Sequence, residues 1–422
     1  LEAAGEVAQA YDWRMRAAEW LRFRDLAAAR ASWERARDIA DHLPDDLDHI
    51  DAMRIAPRTM LTTTAFLVAD EYDTDEGYRE FRELATQAGD VLSLALATSG
   101  QVLSLFTSQV RVPDSGALAA ELLGMVDRID CEPEPELELL RSVLMAQYLN
   151  ADFGGALHTI EREHRLSDDP ALLPVIEATC IGGAIRVWRG DYERGRPDLR
   201  IATEQARELN PVYRAQVLSN RIYLVPAGLE AADDIVSETA DALRRCESFG
   251  DPWGLTLAEW LHAMVLMRCA EPADEEAQEL LQRALTRFGK QRTLASTRGL
   301  IEADLARIDL RRGRRDDVIE RIRANSNLYH ANGSPLCEGI IHEALVELLL
   351  ERGSADDLFD AHGVIAEWEA APLPAPIPGL DLWRLKCRAM VAKAEGNEAA
   401  YAEVAGQYLQ LADRLDARAE II

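Results

Sequence analysis

Residues 11–40 read YDWRMRAAEWLRFRDLAAARASWERARDIA. Trp13, Ala17 and Trp20 stand at the W, G and Y of the tetratricopeptide spacing W-x2-L-G-x2-Y. Ala29 and Trp33 follow where a second helix offers a small residue and a ring. Ala in place of Gly still lets two helices approach closely, and Trp in place of Tyr or Phe still supplies a wedge. Arg16 departs from the pattern by standing where Leu is expected, although its aliphatic stem can lie on apolar surface with the charge in water. The spacing predicts that Trp13, Trp20 and Trp33 pack together against Ala17 and Ala29. One such hairpin cannot bury its apolar face alone, so a match implies a stack of copies.

Helical periodicity continues along the chain, interrupted every fifteen to twenty-five residues or so by Gly, Pro or paired acids. It predicts an all-α protein of about twenty helices, a right-handed solenoid of helix hairpins. Representative pairs are 7–21 with 26–40, 176–189 with 192–209, 253–269 with 275–288, 294–312 with 316–329, 337–351 with 355–370, and 380–394 with 398–415. Gly190, Gly313, Gly353 and Gly396 each follow the first helix of a hairpin, the place for a left-handed cap. Gly313 to Gly353 is 40 residues and Gly353 to Gly396 is 43, longer than the 34 of the standard repeat. Residues 110–113 and the DCEPEPELE stretch from Asp130 read as irregular connections. PLPAPIP, with four prolines between Pro372 and Pro378, reads as an extended spacer. The chain is expected to form one repeat domain over 1–422, with subdivisions at 1–170, 171–371 and 372–422.

Hydrophobic residues make up 48% of the chain and aromatics only 6%, a balance suited to helix. Seventy-four acidic residues against 46 basic ones give a net charge of −28, which repels phosphate backbones and anionic membrane surfaces. Neither a nucleic-acid partner nor a membrane is expected. No apolar run reaches membrane-spanning length and no signal peptide opens the chain. Starting at Leu1 rather than Met suggests a piece of a longer protein. Cys131, Cys180, Cys246, Cys269, Cys337 and Cys387 form no CxxC pair, the usage of packed thiols in a reducing cytoplasm.

The residues offer little chemistry. Gly289-Lys290 is followed by Gln291 and lacks the upstream Gly of a phosphate loop. His342-Glu343 opens a zinc-type H-E pair, but Val346 stands where the second His belongs. His158, Glu161 and His164 do not share one face of their helix, and the histidines otherwise look too scattered for a metal site. The expectation is a non-catalytic chain with no metal and no cofactor. Trp253 and Trp260, seven apart, read as core wedges. The remaining candidate is YRAQVLSNRIY, residues 213–223. Arg214 and Arg221 fall on one helical face, beside Tyr213 and Tyr223 and with Gln216 and Asn220 on an adjoining stripe. Two guanidinium groups so placed could clamp an anionic ligand. Pairing with acids of the same chain is the alternative.

The opening AYDWRMRAAEWLRFRDLAAARASWERARDIADHLPDD, together with IAPRTMLTTTAF, RIYLVPAGLEAADD and LWRLKCRAMVAKAEGNEAAYAEVAGQY, resembles the helical-repeat region of large actinobacterial signalling proteins. These are class III adenylate/guanylate cyclases fused to a STAND-type ATPase, with a tetratricopeptide-like region at the C-terminus. The resemblance runs the length of the chain in order, although DARAEII stands where that family ends in a Gly-containing stretch and a Trp-bearing helix. It implies a cyclase and an ATPase upstream of Leu1, none of whose catalytic positions fall in this sequence. It also implies a cytoplasmic sensor and regulatory scaffold. Such a scaffold binds a protein or peptide partner, a small anionic inducer, or its own ATPase and cyclase domains. A stand-alone protein-binding adaptor is the competing expectation.

Overall fold

The computed structural model describes residues 6–22, 24–67, 74–130, 132–288, 294–313 and 318–417. Cys131, residues 289–291, Asp316 and most of the closing DARAEII lie outside them. Among the described residues there are twenty α-helices and no strand. No helix among them is long and apolar enough to cross a membrane. The chain divides into two compact units. One comprises the described residues of Leu1–Ser108 and Asp114–Val143, the other those of Gln109–Pro113, Leu144–Lys290 and Leu294–Ile422.

The first unit holds α1 (Val7–Leu21), α2 (Leu26–Asp41), α3 (Ile50–Thr63), α4 (Thr74–Ala88), α5 (Val91–Thr107), nearly all of α6 (Val112–Val126) and the start of α7 (Pro133–Leu149). Asp25 caps α2 by accepting from the Ala28 N–H at 3.0 Å. From α1 to α5 each helix packs on the next, and α5 crosses α3 where Gly100 leaves no room for a side chain: a Cβ there would stand 2.5 Å from the Thr63 Cα. The first hairpin corrects the expected wedge. Trp33 and Ala29 are buried, but with Ala18 and Leu61, whereas Trp13 and Trp20 are 60% and 61% exposed and Ala17 is exposed too. Two stripes of spacing i, i+4, i+7 run along α1. The one carrying Tyr11, Met15 and Ala18 faces α2, and the one carrying Trp13, Ala17 and Trp20 points nearly opposite. Guanidinium groups cover the exposed rings, Arg16 at 5.8 Å from Trp13 and Arg24 at 4.5 Å from Trp20.

The second unit holds the end of α7, then α8 (Phe153–Leu166), α9 (Leu173–Trp188), α10 (Tyr192–Gln205), α11 (Pro211–Ile222), α12 (Ala232–Phe249), α13 (Pro252–Leu266), α14 (Asp274–Phe288), α15 (Ala295–Arg311), α16 (Val318–Asn332), α17 (Pro335–Arg352), α18 (Ala355–Ala370), α19 (Pro378–Ala394) and α20 (Glu398–Arg414). The odd-numbered helices form an inner layer. In α9, α13 and α17 burial extends almost all round, as a helix enclosed by others requires, while α12 and α14 bury one stripe. Proline opens five of these inner helices, at Pro174, Pro211, Pro252, Pro335 and Pro378, where a missing N–H costs nothing. Gly190, Gly313, Gly353 and Gly396 end first helices with φ between 67° and 88°, as the caps expected from sequence. PLPAPIP runs outside any helix until α19 begins at Pro378.

Within this unit α9 packs on α11, α11 on α13, α15 on α17 and α17 on α19, and α19 returns to α9. Arg196 at the start of α10 reaches Asp416 after α20, at 2.5 Å, across the same junction. The interior is filled by buried Trp188, Trp260, Trp368, Trp383 and Tyr148. Tyr148 donates to the Asn220 carbonyl at 2.8 Å.

Candidate functional site

The returning inner layer borders an open-sided cavity of about 620 Å³ toward the C-terminal ends of its helices. Pro226 follows α11, Met267, Arg268 and Cys269 follow α13, Arg307 and Arg311 come from α15, Glu343 and Glu347 from α17, and Lys386, Met390 and Lys393 from α19. Five cations and two carboxylates therefore line a pocket in a chain of net charge −28. Cations suit helix C-termini, where unsatisfied carbonyls leave partial negative charge.

The charges are organised around Glu343, which is 1% exposed. Lys386 Nζ lies 2.9 Å from one of its oxygens and Arg307 Nη1 3.1 Å from the other, while Trp383 Nε1 donates to the latter at 3.3 Å. Burial alone would raise the Glu343 carboxyl; the Arg307 and Lys386 charges overcome it and hold it well below the usual carboxylate range. Arg307 also reaches Glu347 at 2.7 Å, so burial pulls its pKa down and the two glutamates push it well above its ordinary value. Arg268 is held by buried Asp304 at 2.8 Å and Arg311 by Asp274 at 2.6 Å. Lys393 is exposed and has no ion pair among the described residues. A fixed frame of paired charges with a free cation beside it can receive an anionic group. Burial, then Asp233, pushes the lining Cys269 thiol up to about 11. The buried Cys180, Cys246 and Cys337 thiols are likewise pushed up to about 12, chiefly by burial.

The arginines considered for a clamp at residues 213–223 are engaged within the chain, the alternative that the sequence left open. Arg214, 1% exposed, pairs with Asp241 and, at 3.2 Å, with Glu238 of α12. Arg221 turns to Glu230, donating from Nε at 2.8 and 2.9 Å, and to Thr203 at 2.8 Å. Gln216 and Asn220 are buried, with Gln216 against the Met145 sulfur at 3.6 Å; Tyr213 is exposed and Tyr223 sits 6.2 Å from the Trp260 ring. One helical face aimed the arginines, but carboxylates on the next helix and turn took them. Trp253 and Trp260 are core residues as expected, and His158, Glu161 and His164 are exposed. The scattered reading of the histidines needs correction at one place. The α16–α17 turn brings His330 and His342 to Glu338, with ligand atoms all within 4.8 Å of one another. The sequence signal for it was Glu338-x3-His342, one helical turn apart. The inner pocket left no such signal, because its residues come from five separate stretches.

No family model matches the sequence, and no curated protein matches it. Among solved structures, the chain is similar to a Rap protein in complex with competence and sporulation factor, at 12% identity and a TM-score of 0.50, covering 98% of this chain and 99% of that one. A circular tandem repeat protein also aligns over 97% of the chain at 14% identity, but its TM-score of 0.18 is too low to bear on the fold. At these identities the likeness concerns fold alone: this chain has an all-helical repeat fold.

Proposed function

We propose that this chain is a non-catalytic regulatory scaffold whose inner pocket receives an anionic group, a terminal or side-chain carboxylate, of a peptide or protein partner. The observation that carries this reading is the lining itself: five inner helices or the turns after them converge there, with five cations against two carboxylates in an acidic chain. Ion pairs already fix the frame around Glu343, so little ordering remains to be done on binding. That a protein of this fold has been solved with competence and sporulation factor supports a fold suited to holding a partner. The resemblance to cyclase–ATPase proteins supports a place as their sensing arm, and the adaptor reading shares the same pocket without the upstream domains.

The test is binding of acidic peptides with free or amidated C-termini, read by fluorescence anisotropy. Lys393→Met and Arg311→Met alter exposed residues and leave the Glu343 frame intact. Removing one charge-assisted donor typically costs about 1.5–3 kcal/mol, so affinity should fall roughly tenfold or more, and fall again with added salt. Equal binding by wild type and both variants would remove the pocket from the proposal. Incubation with ATP or GTP and magnesium should yield neither cyclic nucleotide nor phosphate; turnover that copurifies with the chain would overturn the non-catalytic reading.

A further inference from the structure

The end of α16 and the first turns of α17 hold a cluster that the anion pocket does not use. Glu338 and His342 are four apart on α17 and so share a face, and His330 approaches them from the last turn of α16. His330 Nδ1 lies 2.7 Å from Glu338 Oε1, and His342 Nδ1 lies 3.5 Å from the same oxygen. We infer that His330, Glu338 and His342 form a binding site for a divalent transition metal of the zinc type.

The two distances to Glu338 Oε1 are close to what such an ion demands, and the two imidazole nitrogens lie within 4.8 Å of each other. Tetrahedral zinc with bonds of about 2.0–2.2 Å holds its ligand atoms roughly 3.3 Å apart. Seating it would leave the His342–Glu338 separation nearly as it is and open the His330–Glu338 one by about half an ångström. The second observation concerns His342. It is 2% exposed, and its Nδ1 has no hydrogen-bond partner among the described residues, although it faces the Glu338 carboxylate. A buried polar atom left without a partner calls for a ligand such as an ion or a water. A simple His–Glu–His hydrogen-bond chain would have satisfied that nitrogen.

The surroundings fit a metal as well. The Trp368 ring lies 5.4 Å from the His342 imidazole and Trp383 stands 5.8 Å beyond it, an apolar wall that keeps competing water away on one side. The His330 side chain is 34% exposed and leaves an entry from solvent. Arg384, whose charge also reaches Glu338, is held by the Trp368 carbonyl at 2.6 Å and by Asp381 at 3.6 Å. Two imidazole nitrogens and one carboxylate oxygen favour zinc, cobalt or nickel over magnesium and calcium. Three protein ligands leave a fourth position for water. The bound ion ties α16 to α17, two helices from adjacent hairpins.

The experiment uses the untagged chain, stripped with a chelator and dialysed. Titration with Co²⁺ should give visible d–d absorption saturating at one equivalent and bleached by Zn²⁺, with Zn²⁺ raising the melting temperature by mass action. Excess Mg²⁺ or Ca²⁺ should displace nothing. His330→Ala changes a partly exposed residue and keeps the fold; His342→Gln removes the buried ligand with less loss of volume. Each should weaken Zn²⁺ binding by at least the roughly 10–100-fold that even outer-shell changes cost, whereas exposed His158→Ala should change nothing. Absence of a cobalt spectrum in wild type, or a spectrum unchanged in folded His330→Ala, overturns the inference. Because Lys393→Met leaves this cluster untouched, failure of the anion pocket and failure of the metal site are read separately.

Discussion

Gly379, at the start of α19, packs against the indole of Trp188 at the end of α9: a Cβ at 379 would stand 2.6 Å from the ring. This contact is where the inner layer of the second unit returns to its beginning, and Trp188 is fully buried and has nowhere to move. Gly379→Ala should therefore cost about 1–3 kcal/mol through overpacking. Gly363→Ala, inside α18 with no atom of the described residues within 4 Å of the added carbon, should instead stabilise by up to about 1 kcal/mol. Urea unfolding of the two variants beside wild type measures both; similar midpoints would mean the α9–α19 contact is loose.

The tryptophans of the first hairpin should separate sharply. Trp33 is 1% exposed among Ala18, Ala29 and Leu61, so Trp33→Ala should cost about 3–5 kcal/mol. Trp20 is 61% exposed and keeps only its stacking with Arg24, so Trp20→Ala should cost no more than about 1 kcal/mol. Melting temperatures, with hydrogen exchange over α1 and α2, test the difference.

Arg214 is expected to act on stability rather than affinity. Arg214→Ala leaves Glu238 and Asp241 without the guanidinium that joins α11 to α12. Those acids are 18% and 32% exposed, so water repays part of the loss and the cost should be about 2 kcal/mol, below that of a fully buried pair. Peptide affinity at the inner pocket should not change in the folded variant.

His262 should make the protein less stable in mild acid. Burial holds its pKa below the ordinary 6.5, with Glu276 pulling it up and Arg244 pushing it down, and its Nδ1 sits 3.0 Å from the Thr239 hydroxyl. As the pH falls through the ordinary histidine value, the unfolded chain binds a proton that the folded one refuses. Stability therefore drops with pH in that window. The decline in melting temperature between about pH 7.5 and 5.5 should be shallower in His262→Gln than in wild type.

Much of the architecture was legible in the residues alone, because helix starts and stops are local events. Gly190, Gly313, Gly353 and Gly396 marked the ends, and the prolines before the inner helices, recurring at steps of 37 to 43 residues from Pro174 to Pro252 and from Pro335 to Pro378, marked the beginnings. The i, i+4 spacing of Glu338 and His342 was also present in the sequence, but the histidines read as too scattered for a metal site until the fold brought His330 to them. Periodicity could not choose between two equivalent stripes of α1: both carry large side chains, and only the presence of α2 on one side made Ala18 the contact and left Trp20 in water. Nor could it say that Glu230, Glu238 and Asp241 would take Arg221 and Arg214, or that Arg307, Glu343 and Lys386 would meet. Arg307, Glu343 and Lys386 are about 40 apart from one helix to the next, and their meeting depends on how neighbouring hairpins pack. Sequence by itself determined the helices; packing decided which of their faces hold charge, cavity and ligand atoms.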